Sequence, residues 1–180
     1  MRNAQIRKMT TLAMLVAAGI LLQILENFIP LMMIIPGYKI GLANITGLFA
    51  LYAYGWKDMV KVTITRVLLA SLATGTLFSP AFLLSTLGAI FSLTVMSICF
   101  NSHRFSIYGV STAGAAAHTF GQMLGVVFIY RSFFMQLLLP ALTAFSVVSG
   151  LLIAAVTRQL LKRLMPKEWK KTCELANAPQ

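Results

Sequence analysis

An all-α membrane protein of six transmembrane helices is the fold class this sequence predicts, and three observations carry the prediction. Fifteen Lys or Arg and four Asp or Glu are the only strongly charged residues among 180. Between them lie uncharged runs at Met9–Leu25, Ile40–Trp56, Val67–Ser102, Phe105–Tyr130 and Ser132–Thr157. A hydrocarbon core about 30 Å thick needs roughly 20 apolar residues per crossing, so runs of this length specify several crossings. Composition agrees: 58% of residues are hydrophobic, and the mean hydropathy of +0.82 lies far outside the soluble range. The third observation is the distribution of basic residues, which sorts the loops into two sides.

Charges and Pro/Gly breaks bound the helices. The first, Met9–Ile29, follows the basic residues Arg2, Arg7 and Lys8. It runs without interruption to Leu25 and lacks the polar region and small-residue cleavage site of a secretory leader, so it reads as a retained span. The second is expected at Ile40–Tyr54 and the third at Val60–Phe78. Ser79–Pro80 divides the longest run, because Pro cannot continue a helical ladder and disfavours helical geometry in the residue before it. The fourth helix is therefore expected at Ala81–Phe100, the fifth at Tyr108–Tyr130 and the sixth at Met135–Leu164. Residues 1–165 form one domain and 166–180 a basic tail, with no internal repeat or low-complexity linker in between.

An even number of spans puts both termini on one side. Twelve basic residues (Arg2, Arg7, Lys8, Lys57, Lys61, Arg104, Arg158, Lys162, Arg163, Lys167, Lys170, Lys171) fall on that side, and only Lys39 and Arg131 in the opposite loops. By the positive-inside rule the termini are cytoplasmic. The formal charge of +11 thus follows from topology and contact with anionic lipid, and no nucleic-acid motif accompanies it. Cys99 and Cys173 map to the reducing side without a partner at metal spacing and receive no role.

The chemistry open to the chain is narrow. It has no G-x-x-x-x-G-K-[ST] loop for ATP phosphates. One Asp and three Glu do not supply the clustered carboxylates that hold Mg²⁺ against a diphosphate. No metal, cofactor or catalytic residue is assigned.

Polar residues at membrane depth are costly unless they face a cavity or a partner. Gln23, Glu26 and Asn27 share one face near the outer end of the first helix, either as an interfacial cap or as part of a site. In the stretch Pro36-Gly37-Tyr38-Lys39-Ile40-Gly41-Leu42-Ala43-Asn44, Pro36, Gly37 and Gly41 oppose a regular helix, and irregular backbone at this depth is tolerated mainly where it lines a cavity. Lys39 is a fixed cation there, beside N–H groups suited to an anion, or a snorkelling loop residue. Arg66 sits about 10 Å into the third helix, as a site residue or a snorkelling one. His118 and Gln122 lie one turn apart near mid-span, beside Gly114 and Gly125, and suit an interhelical contact or a ligand. Ala13 and Ala17 form a small-x-x-x-small face that admits a second helix closely.

With Pro36-Gly37-x-Lys39-x-Gly41-Leu42-Ala43-Asn44 and Gly114-Ala115-x-x-His118-x-x-Gly121-Gln122, the chain resembles the Gx transporter family. That family is often labelled heptaprenyl diphosphate synthase component I and is similar to the substrate-binding S components of energy-coupling factor (ECF) transporters. The resemblance covers Arg7 to Leu164. It implies a six-helix S-component-like fold in a bacterial cytoplasmic membrane, with Ala13 and Ala17 docking on the transmembrane T subunit that ATPase subunits drive. It also implies an outer gate at Pro30–Asn44, with Pro36, Gly37 and Gly41 shaping it. The residues assigned to a small-molecule substrate are Glu26, Lys39, Asn44, Arg66, His118 and Gln122. The substrate is read as anionic or linked to isoprenoid or quinone metabolism. The alternative is a non-catalytic membrane accessory component of heptaprenyl diphosphate synthesis.

Overall fold

A chain in hydrocarbon must satisfy its backbone N–H and C=O groups internally, and the uncharged runs accordingly fold as helices. The structure, a computed structural model, describes residues 2–27, 41–130 and 139–165. Among these it contains α1 (Arg2–Asn27), α2 (Asn44–Tyr54), α3 (Trp56–Ala73), α4 (Pro80–Asn101), α5 (Ile107–Tyr130) and α6 (Leu139–Leu164), and no strand. Four helices are long and apolar enough to cross a membrane: Gln5–Glu26, Pro80–Asn101, Ile107–Ile129 and Leu139–Leu164.

The other two differ for separate reasons. α2 has 11 residues, about 16 Å at 1.5 Å per residue, which is too short to cross alone. α3 has 18 residues but carries Lys57, Asp58, Lys61 and Arg66.

Three helices start or stop away from the expected positions: α1 begins at Arg2, seven residues before Met9, because its helix runs back through the basic residues Arg2, Arg7 and Lys8, and α2 and α3 differ at glycine turns. α2 begins at Asn44 because Gly41 adopts a positive φ of 79° and Leu42–Ala43 form a turn. α3 begins at Trp56, four residues before Val60, because Gly55 alone makes the link at a φ of 95°. It also ends early, at Ala73, where Gly75 (φ 66°) and Phe78 (φ 65°) turn the chain. Ser79 then caps α4, its side chain accepting from the Phe82 N–H at 3.3 Å with Pro80 in the first turn.

α2 is the centre of the bundle. It packs against α1, α3 and α6, and every residue from Thr46 to Leu51 is buried, so no face of it meets the surroundings. Around it α4 packs on α5 and α5 on α6. These contacts are close because glycines sit in them. A Cβ on Gly121 would lie 2.9 Å from the Leu87 carbonyl oxygen, and one on Gly150 would lie 2.9 Å from Thr112 Cα. Ser111 Oγ also donates to the Gly150 carbonyl at 2.7 Å. Leu48, Leu51, Met59, Val62, Val110 and Leu161 fill the core. Large apolar side chains such as Leu72, Phe128 and Leu152 project outward, as a surface solvated by lipid allows.

At the end of the bundle where α3 begins, buried Asp58 binds Lys8 of α1 at 2.5 Å and Lys61 at 3.3 Å. Lys8 also stands 5.6 Å from the centre of the Tyr54 ring. These contacts fasten α1 to the α2–α3 corner.

Candidate functional site

Glu26 lies in the last turn of α1, where the helix dipole disfavours a carboxylate. Nevertheless it is buried, at 7% exposure. Two features offset the cost. Its Oε1 accepts a hydrogen bond from the Gly41 backbone N–H, and Arg66 attracts its charge. The positive φ of Gly41 sets the turn in which its carbonyl accepts from the Asn44 N–H at 2.8 Å. A Cβ at Gly41 would meet Asn44 Nδ2 at 3.0 Å.

Arg66 is the eleventh residue of α3, so it lies about 15 Å along the axis from Trp56, deeper than the 10 Å expected. Exposed by only 4%, it does not snorkel. Its side chain crosses α1 at Gly19, where a Cβ would come within 2.6 Å of Arg66 Cδ and 2.8 Å of Thr46 Oγ1. Only glycine leaves that channel open. Arg66 Nε is buried with no hydrogen-bond partner among the described residues, a costly state for a donor away from water.

On the opposite wall, His118 and Gln122 of α5 face Gly88 of α4. A Cβ on Gly88 would meet His118 Cε1 at 2.8 Å and Gln122 Cγ at 2.9 Å. Ser85, one turn before Gly88, is buried on the same helix.

These groups surround one cavity of about 30 Å³. Its wall takes Gln23 and Glu26 from α1, Gly41, Ala43 and Asn44 from the start of α2, Arg66 and Val67 from α3, Ser85 from α4 and His118 from α5. Five of the six helices contribute. Asn44 also borders a second space of about 10 Å³, which reaches Thr63, Ser92 and Met96.

Of the expected substrate residues, Glu26, Asn44, Arg66 and His118 thus meet at one cavity, with Gly41 of the expected gate among them. Gln122 is buried beside His118 against Gly88 and is not on the cavity wall. Lys39, Pro36 and Gly37 lie outside the described residues, as do Arg131 and the basic tail. Ala13 and Ala17 are exposed on α1. Sequence reasoning missed Ser85 and the two glycines that make room, Gly19 and Gly88. The signal for Ser85 was a hydroxyl three residues before a glycine, one of several hydroxyls in the same run.

A cavity among packed helices with one buried cation, one buried anion and several neutral hydrogen-bonding groups has the chemistry to accommodate a polar solute. The class so defined is a helical membrane protein with an internal polar cavity. Residues 15–160 match the family model described as heptaprenyl diphosphate synthase component I, and the chain belongs to that family. The match spans every cavity-lining residue. As component I of a synthase, the family by its description implies a second component. No curated protein and no solved structure matches the chain.

Proposed function

We propose that this protein is the substrate-binding subunit of an ECF-type uptake transporter in the bacterial cytoplasmic membrane. It crosses the membrane six times with both termini in the cytoplasm, and it performs no catalysis itself. A small molecule enters from the outer face and is held by Glu26, Asn44, Arg66 and His118. Lys39 and Gln122 belong to the same binding region, and Pro36, Gly37 and Gly41 to the gate over it. A T subunit docks on the Ala13 and Ala17 face of α1, and ATPase subunits drive release inside.

The observation that carries this reading is the Arg66–Glu26 pair buried at a cavity in the bundle. Intramembrane charges are expensive and mark pathways and ligand sites. A groove of about 260 Å³ between α1 and α3, lined by Met9, Leu12, Ala13, Val16, Lys61, Val62 and Thr65, supports the docking assignment, since the small residue Ala13 admits a partner helix there. The test is mass spectrometry of small molecules carried through purification in mild detergent. A ligand present in the wild type and absent from Arg66→Gln supports the reading; an identical small-molecule content in both opposes it.

The family description favours a second reading, a membrane accessory component of heptaprenyl diphosphate synthesis with a soluble catalytic partner. Diphosphate chemistry on this chain itself is disfavoured. Asp58, its one Asp, is held between Lys8 and Lys61, on a different part of α3 from the cavity, so among the described residues Glu26 stands there without a second carboxylate.

A further inference from the structure

We infer that the groove between α1 and α3 binds an anionic phospholipid, with the phosphate beside Lys61 and one acyl chain along Met9, Leu12 and Val16. This goes beyond the capture reading and does not depend on it. A T subunit docking at Ala13 displaces the lipid.

The groove has the shape and polarity of a lipid chain. It holds about 260 Å³, and only Lys61 and Thr65 on its described wall carry polar side-chain atoms. From Met9 to Val16 it follows α1 for about 10 Å at 1.5 Å per residue. Asp58 marks the polar end, because it binds Lys61 and also Lys8, the residue next to Met9. Within the candidate span Gln5–Glu26, Met9 lies near one end and Val16 near the middle. The groove therefore runs from a charged mouth toward the apolar midplane. A phospholipid has the same direction, head group at the surface and chain toward the bilayer centre.

Charge selects the head group. Lys8 stands 2.5 Å and Lys61 3.3 Å from the Asp58 carboxylate, and Lys61 is the more exposed side chain, 72% against 42%. One carboxylate neutralises one of the two lysines, so these three residues leave a positive charge at the mouth. An ammonium has three donors, so Lys61 keeps its contact with Asp58 while meeting a phosphate oxygen. Its aliphatic stem lies along the apolar wall, as lysine stems do at membrane interfaces. Trp56, 45% exposed at the start of α3, has the Lys57 ammonium 5.8 Å from its ring centre, and aromatic and basic residues together mark the head-group level. A zwitterionic lipid fills the apolar wall equally well but gains less from this mouth.

The test uses the purified full-length protein in nanodiscs of phosphatidylcholine, with phosphatidylglycerol of the same acyl chains as the minority lipid. A diazirine amino acid at Thr65 captures whatever lies in the groove, and mass spectrometry identifies the adduct. A second protein carries the probe at Leu152 of α6, which faces outward at 63% exposure. Phosphatidylglycerol is expected at Thr65 at about five times its share of the bilayer, the size of one uncompensated lysine at a membrane surface. At Leu152 it should appear at its bulk share. Lys61→Gln should remove the enrichment, and Lys61→Arg should retain it. The inference is overturned if Thr65 captures phosphatidylglycerol at its bulk share, if Leu152 shows the same enrichment, or if Lys61→Gln leaves it unchanged. Capture of protein in place of lipid also overturns it, since a second copy or another segment of this chain then fills the groove. Partner co-purification tests the capture reading independently, because these nanodiscs contain no T subunit.

Discussion

The Gly41 backbone N–H donates to the Glu26 carboxylate, tying the end of α1 to the turn that starts α2. The bond sits on the cavity wall, and Arg66 attracts the same carboxylate. One acidic side chain thus serves both the shape of the site and its charge balance.

Because Arg66 and Glu26 balance each other in a buried place, removing either alone strands a charge. Glu26→Gln and Arg66→Met should each lower stability by about 3 kcal/mol. The double variant should lose clearly less than the sum of the two. Thermal unfolding in detergent checks this, and strictly additive losses would show that the two groups are uncoupled.

Gly41→Ala places a Cβ where the backbone has a φ of 79° and Asn44 Nδ2 lies 3.0 Å away. A loss of about 1–2 kcal/mol is expected from the left-handed conformation. A melting temperature equal to that of the wild type would contradict the turn geometry.

Gly19→Ala should drive Arg66 out of its channel, since the new Cβ would meet Cδ at 2.6 Å. Overpacking of this kind costs about 1–3 kcal/mol. Combining it with Arg66→Ala, which removes the Cδ contact and leaves only Thr46 Oγ1 at 2.8 Å, should reduce the added loss. If Gly19→Ala costs as much in the Arg66→Ala background as in the wild type, the channel is not what glycine protects. Thermal unfolding of the four proteins decides.

How much of this was legible in the sequence depended on whether charge or packing set the feature. Arg66 and Glu26 stood out because charges are rare in this chain, and α4 and α5 ended within a residue of expectation because Pro80 and the charged loops bound them. α2 was harder: its expected start assumed that the helix begins before Gly41, whereas the turn at Gly41 delays it to Asn44. The roles of Gly19 and Gly88 were not legible at all. They depend on side chains of helices distant in sequence, and a single glycine in an apolar run carries no sign of what passes over it. Lys39 was singled out for its charge and lies outside the described residues.

At the other end of the bundle, Asp58→Asn removes the contacts to Lys8 and Lys61. Since Asp58 is buried while both lysines are partly solvated, the loss should be about 1–2 kcal/mol, and less at high salt than in dilute buffer. Chemical unfolding at two salt concentrations measures it. Lys8→Met should cost less, because Lys61 remains; an equal or larger cost would place the tie on Lys8 alone.

The most direct test of the proposed role is to purify the tagged full-length protein from its native membrane in mild detergent and identify the proteins that come with it. The account predicts a transmembrane T subunit and ATPase subunits, retained by the wild type and lost from Ala13→Leu and Ala17→Leu, whose bulkier side chains close the small-residue face. Recovery of a soluble prenyltransferase in their place, unaffected by either substitution, would contradict it.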